Sequence, residues 1–411
     1  MIRKCTALLL FACVLFAAQT ALAATVNGVE LQPSPYGAKL ADKCFALETE
    51  YPVYAKDIEK IYFTITNKTK KSATFGDEYS LEIYQDGGWY VWPLKTSEIG
   101  PNGETVVYVW PGDEYDLDRG STRSGRLPLS SFKLPLVDGV YRVVKLINGK
   151  PCAAQFEVGA SRITAATPHG FARTEELPAA YSFDDALAEG AYVIRGGEQF
   201  NRAKVADFIR KSGMGIPCTL RVVEEAENGT PLVKDILFGQ LIQWRCYAVR
   251  TRGADGKVET EYYSNLSVGK VNKKNRVVLC DYINFGKYAP KDARFALISG
   301  AVADASAEIS AVQKLVKTRT SIYVYTCLSY SPDAKYYATV VRSGKNRVEV
   351  SLNSANTYAS KTIYAPASAG TPKGLTSLRW LDGERFELRG VSQSGKAFTA
   401  VYNVTTGAYE S

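Results

Sequence analysis

Between Thr25 and about Val158, hydrophobic and polar residues alternate with a period of two, in short runs separated by turn residues. Residues 61–66, 79–84, 105–110 and 139–144 read as half-buried strands, and Asn67-Lys68-Thr69, Asp86-Gly87-Gly88 and Pro111-Gly112 as turns between them. With no long helical period among them, such strands predict a β-sandwich over residues 25–159. Residues 160–180, rich in Ala, Thr and Pro, read as a linker that holds the single histidine, His169.

A helical period follows. Ser182 stands three residues before Asp185, a capping-box spacing, and Gly190 can end that short helix. Asn201 is the expected cap of a second helix, with Val205, Phe208 and Ile209 on one face, Arg210 and Lys211 at its negative end, and Gly213 as its stop. Strand patterns come next at 219–224, 232–238, 241–249, 258–263 and 277–283, so residues 181–290 predict an α+β domain. Ile309, Val312, Leu315 and Val316 mark a helix in a connecting segment, residues 291–320. Residues 321–411 contain a repeat: 332–340 recurs as 381–389, Ser343-Gly344-Lys345 as Ser394-Gly395-Lys396, and 350–353 as 400–403. Each copy resembles the strand-turn-strand unit of a β-propeller blade. Two copies are too few to close a propeller, which needs about four to eight blades, so a small β domain packed on its neighbour, or a sheet completed by a second copy, is expected.

The amino terminus changes the picture by placing the chain. Arg3 and Lys4, the apolar stretch from Cys5 to Ala18, and Ala21-Leu22-Ala23 form a three-part export signal over residues 1–23. The alternatives are a retained membrane anchor and lipidation at Cys13, the latter opposed by bulky Phe11. An exported, extracellular, periplasmic or envelope-associated protein is expected, without a transmembrane helix after cleavage. The net charge of +8 is spread thinly, with no dense basic run to suggest nucleic acid.

Six cysteines remain beyond the signal, an even count that reads as disulfides in an exported chain. Strand alternation puts Cys152 on the apolar face with Ala154, Phe156 and Val158, and Cys246 with Ile242 and Trp244. Cys44 with Cys152 and Cys246 with Cys280 are the expected pairs, which leaves the state of Cys218 and Cys327 open. The first pair closes a loop of about 107 residues, worth roughly 4–5 kcal/mol in the chain-entropy model.

Catalytic motifs are absent: no P-loop, no Gly-x-Ser-x-Gly, and Ser130 with Lys133 lies between two prolines without partner motifs. No Cys-x-x-Cys supports zinc, and no cofactor is implied. Asp113, Glu114, Asp116 and Asp118 suggest a solvated acidic loop or, more remotely, calcium between sandwich loops. In Trp89-Tyr90-Val91-Trp92 the two tryptophans face opposite sides of one strand. With Trp89 in the core, Tyr90, Trp92, Tyr108 and Trp110 become candidate binding residues for a cell-wall glycan or a protein partner.

The sequence order 65–67, 75–76, 79–82, Gly88-Trp89, Pro93, Pro111-Gly112 and 139–143 resembles a bacterial immunoglobulin-like domain family of exported proteins, over about residues 60–147. The resemblance implies a sandwich used for adhesion, spacing or docking, although the polar stretch 113–131 is longer than the pattern needs. Residues 181–285 resemble an uncharacterised α+β family of bacterial exported proteins and lipoproteins, through Ala186, Gly190, Val193, Asn201, Phe208, Leu220-Arg221-Val222, Gly229, Pro231, Asp235 and Leu237. That family brings no catalytic residue. The expected fold class is therefore multidomain and mainly β: an immunoglobulin-like sandwich, an α+β domain and a small β-repeat domain. The expected function is non-enzymatic binding or scaffolding, with an envelope-polymer hydrolase using Asp/Glu carboxylates as the alternative.

Overall fold

The computed structural model describes residues 24–411 except 39, 41–42, 100–101, 103–104, 108–111, 240, 242–244, 254, 299–305, 323–324, 344–346, 355–358, 364–371, 393 and 411. The predicted signal peptide, Tyr108 and Trp110 lie outside the described residues.

Alternation along Lys60–Asn67 buries Ile61, Phe63 and Ile65 on one side and leaves Tyr62 and Thr66 half-exposed on the other. Phe45–Thr49 and Thr122–Pro128 flank this strand antiparallel, forming a three-stranded sheet. A larger sheet covers its apolar face, centred on Ser80–Gln85, Gly139–Ile147 and Lys150–Val158. The last two strands join through Asn148-Gly149, both at positive φ, the geometry of a tight hairpin turn. Leu81, Val143, Phe156 and Leu127 meet Phe63 and Ile65 in one core between the sheets. The polar stretch expected as a long loop after Asp113 instead contains the strands Glu114–Leu117 and Thr122–Pro128. Each contributes only one fully buried apolar residue, Leu117 or Leu127, so neither shows an apolar period.

The candidate binding residues Tyr90 and Trp92 are in that same core. Trp92 is 0% exposed, its Nε1 donates to the Leu134 carbonyl at 3.2 Å, and its ring meets Tyr141 edge-on. The strand therefore faces the opposite way from the expectation. Trp89 lies on the outer face, covered by the Arg142 guanidinium 4.3 Å above its ring. Arg142 is itself buried and donates through Nε to Glu82 at 2.7 Å, so a charged pair seals this face.

In the second unit a six-stranded sheet has Cys218–Glu225, Pro231–Gly239 and Cys246–Arg252 at its centre. The capping box at Ser182 and Asp185 starts the helix Phe183–Ala188. Asn201 does not cap the second helix, Ala203–Gly213; it adopts φ +58 and its amide donates to the Ala191 carbonyl at 2.9 Å. Val205, Phe208 and Ile209 pack on the sheet, and the helix Ser306–Ile322 adds Val312 and Val316 to this core. The predicted connecting helix is thus part of the second core.

The repeat folds as two antiparallel four-stranded meanders, and no propeller closes among the described residues. Their matching turns face each other, since a Cβ on Gly383 would stand 2.9 Å from Asp333. Val278, Cys280 and Tyr282 of the second unit share the meanders' core, and Trp380 Nε1 donates to the Ser329 carbonyl at 3.0 Å. The small β domain is packed on its neighbour.

The structure holds no disulfide among the described residues, so the expected Cys44–Cys152 and Cys246–Cys280 bridges are not formed in it. Two of these thiols turn to main-chain carbonyls instead: Cys152 Sγ lies 3.9 Å from the Lys150 oxygen and Cys280 Sγ 3.2 Å from that of Tyr282.

Candidate functional site

The outer face of the three-stranded sheet is where polar residues collect. Register places Arg126 opposite Tyr62 and Ser124 opposite Thr64, all on the side away from the sandwich core. The second unit approaches this face with the turn around Gly215 and with Arg245. Gly215 has φ +78, and a Cβ there would fall 2.4 Å from Arg245 Nη1 and 3.7 Å from Ser124 Oγ. Glycine suits the positive φ of this turn and leaves the space that the Arg245 guanidinium occupies beside it.

Between the two units runs a cleft of about 840 Å³. Lys60, Arg123, Arg126 and Arg245 line it, and none of the four pairs with a carboxylate among the described residues. Asp77 is the single acidic residue of the described lining, and it accepts a hydrogen bond from Tyr115 Oη at 3.0 Å. Lys145, also in the lining, donates to the Gly76 and Glu78 carbonyls at 2.6 and 2.9 Å. Burial lowers its pKa to about 8, against the opposing pull of Asp77 and Glu78.

That shift has a measurable sign. Below about pH 8 Lys145 is charged in both folded and unfolded chains, and burial of the charge opposes folding. From about pH 8 towards its unfolded value near 10.5 the unfolded chain holds the extra proton, so this group's contribution to stability rises with pH. Lys145→Met is expected to remove this rise. Urea midpoints of the two proteins at pH 7 and pH 9.5 should converge as pH increases; a constant difference would contradict the shift.

At the inner end of the cleft the linker, the sandwich and the second helix meet. Glu50, just past the strand Phe45–Thr49, is almost fully buried, with Oε1 3.6 Å from Lys211 Nζ and 3.7 Å from His169 Nδ1. Lys211 also lies 3.1 Å from Asp207 and 4.6 Å from the Tyr51 ring centre. Glu50 Oε1 and His169 Nδ1 are buried without a hydrogen-bond partner. A second cavity of about 250 Å³ opens beyond His169, lined by Asp207, Lys211 and Cys218. Burial first, and then Glu50, push the Tyr51 phenol well above its usual range and keep the Cys218 thiol protonated. A buried neutral thiol is a poor nucleophile. Cations and tyrosines make up much of the cleft's polar lining.

Of the candidate binding residues, Tyr90 and Trp92 are remote from this cleft, inside the sandwich. The acidic run is divided by the strand Glu114–Leu117, and no metal-ligating group of three side chains exists among the described residues. His169, read as a linker residue, stands at the junction of both cavities. The residues that build the site come from positions 50, 60, 126, 169, 211 and 245, with no common motif; only the unexplained polarity of Thr122–Pro128 pointed to it.

Residues 42–161 match the family model of a bacterial Ig-like domain. The first unit is thus a bacterial Ig-like domain, and the described cleft is lined by its outer face together with the edge of the sandwich at Arg123, Tyr115 and Lys145. Bacterial Ig-like domains are typical of surface or exported proteins and suggest a surface or binding role. No helix of the described residues is long and apolar enough to cross a membrane. Residues 181–285 and the repeat lie outside this match.

No curated protein matches the chain. Among solved structures it is similar to the alkylpurine DNA glycosylase AlkC of Pseudomonas fluorescens bound to DNA with an abasic-site analogue, at 16% identity, 29% coverage of this chain, 32% of that one and a TM-score of 0.17. It is similar to the periplasmic chaperone SfaE at 12% identity, 53% and 96% coverage and TM-score 0.16. TolB of Acinetobacter baumannii gives 11% identity, 67% and 66% coverage and TM-score 0.19. The chain spans about a third of the glycosylase's length, and scores at this level carry no argument about fold or function.

Proposed function

We propose that this chain is an exported, envelope-associated binding or scaffolding protein without catalytic activity, whose ligand enters the cleft between the Ig-like and α+β units. The carrying observation is the cleft of about 840 Å³, lined by four cations without carboxylate partners. Such groups are held ready for a ligand rather than used up in tying the units together. Hydrolysis by opposed carboxylates, which needs two of them about 5–9 Å apart, finds no support in a lining whose acidic side chain is bound to Tyr115.

Ser124→Trp tests the location. Ser124 is half-exposed on the cleft wall, so the indole fills the opening without entering the sandwich core. Retention of the full chain on isolated cell-envelope fragments is expected to fall on the order of tenfold, with circular dichroism unchanged. Equal retention of both proteins would move the ligand site elsewhere.

A further inference from the structure

Within the proposed cleft, the geometry points to a particular ligand class: an anionic glycan, a saccharide chain bearing carboxylate or phosphate groups, gripped between Arg126 of the sandwich and Arg245 of the α+β unit. The inference rests on the binding reading above and deepens it.

Arg126 and Tyr62 are cross-strand neighbours on the outer face, and Lys60 precedes Tyr62 by two residues on that same face. Arg245 comes to this face from the other side, its Nη1 poised over Gly215 and next to Ser124. Three cations thus surround one tyrosine, two from one unit and one from the other. Burial and then the Glu50 carboxylate raise the Tyr62 phenol, while Arg126 and Arg245, both close to it, pull the other way. Lys60, Arg123, Arg126 and Arg245 outnumber the two carboxylates of the cleft and its inner end, Asp77 and Glu50, so the cleft is net positive, and low-dielectric walls on both sides concentrate its field. Guanidinium forks suit carboxylate and phosphate oxygens.

The aromatic residues decide between polyanions. Single-stranded nucleic acid is gripped through open ring faces on which bases stack. Here Phe75 pairs with Tyr115 at 5.7 Å between ring centres and Tyr79 with Phe132 at 6.3 Å, which leaves Tyr62 as the lining tyrosine without a ring partner among the described residues, one platform where a strand of bases needs several. A single ring among three cations suits one sugar unit and its charged substituents better than a run of stacked bases.

The full chain should bind fluorescent oligogalacturonate, and Arg126→Gln/Arg245→Gln should weaken this on the order of tenfold or more. Binding should also fall steeply as salt rises from about 50 to about 200 mM, as counterion release requires. Lys335→Gln/Arg385→Gln removes the same charge from the exposed surface of the repeat and should leave affinity within about twofold. Equal affinity for neutral dextran, tighter binding of oligothymidylate, or an unchanged affinity in the cleft variant would each overturn the inference. If envelope retention still depends on Ser124 while oligogalacturonate does not bind, the anionic-glycan inference fails and the binding function stands. If retention ignores Ser124 as well, both fail.

Discussion

Trp92→Ala is expected to destabilise the Ig-like unit by about 4 kcal/mol, the scale of removing a buried aromatic side chain from a core. The indole is fully enclosed between the two sheets beside Tyr141, so truncation leaves a cavity that the strands on either side cannot collapse to fill. It also deprives the half-buried Leu134 carbonyl of its donor. Trp89→Ala, three residues earlier, should cost less, about 2–3 kcal/mol, because that ring, although buried, lies on the outer face under Arg142 rather than in the core between the sheets, and Arg142 can settle into the space it leaves. Urea unfolding followed by far-ultraviolet circular dichroism separates the two. A loss below 1 kcal/mol at Trp92, together with weakened envelope retention, would instead favour the exposed platform that the strand's alternation first suggested.

Arg221→Met is expected to cost the second unit about 3–5 kcal/mol. Arg221 is fully buried and grips Asp235 with two bonds of 2.8 Å, through Nε and Nη2. It also donates to Glu189 at 2.8 Å and to the Ala172 carbonyl at 2.6 Å, under the rings of Phe171 and Tyr181. Asp235 takes a further bond of 2.6 Å from Thr174 Oγ1, so one cation ties the end of the linker to the sheet. Removing it strands a buried carboxylate. Arg221→Met/Asp235→Leu should therefore recover much of the loss, since an apolar pair of similar size avoids burying either charge. Thermal unfolding of the two single variants and the double gives the coupling directly. If the double variant loses as much as the sum of the singles, the cost comes from packing rather than the stranded charge.

Local signals were legible in the sequence wherever a short segment decides its own structure. Ser182 and Asp185 form a capping box that needs nothing beyond four residues. Alternation in 61–66 and 139–144 gives core strands because one face of each is uniformly apolar. The 332–340 and 381–389 copies became two matching meanders. Trp92 was misplaced because alternation says which residues share a side but not which side is inward. Thr122–Pro128 was missed as a strand because its outer face serves the cleft, leaving Leu127 as its one fully buried residue. The cleft itself was illegible for a different reason. Glu50, His169 and Lys211 are far apart in the chain and meet only when three segments pack together. Arg245 holds its place in the cleft beside Gly215, thirty residues earlier in the chain, which leaves the room its guanidinium uses.

Hydrogen exchange on the full chain, with and without isolated envelope glycan, tests the central claim that the ligand occupies the cleft between the first two units. Added protection is expected in residues 60–64, 122–128 and 213–219, on the two facing walls, with the outer sheet around Trp89 unchanged. Protection confined to that outer sheet or to the repeat, with the two walls exchanging as in the free protein, would contradict it.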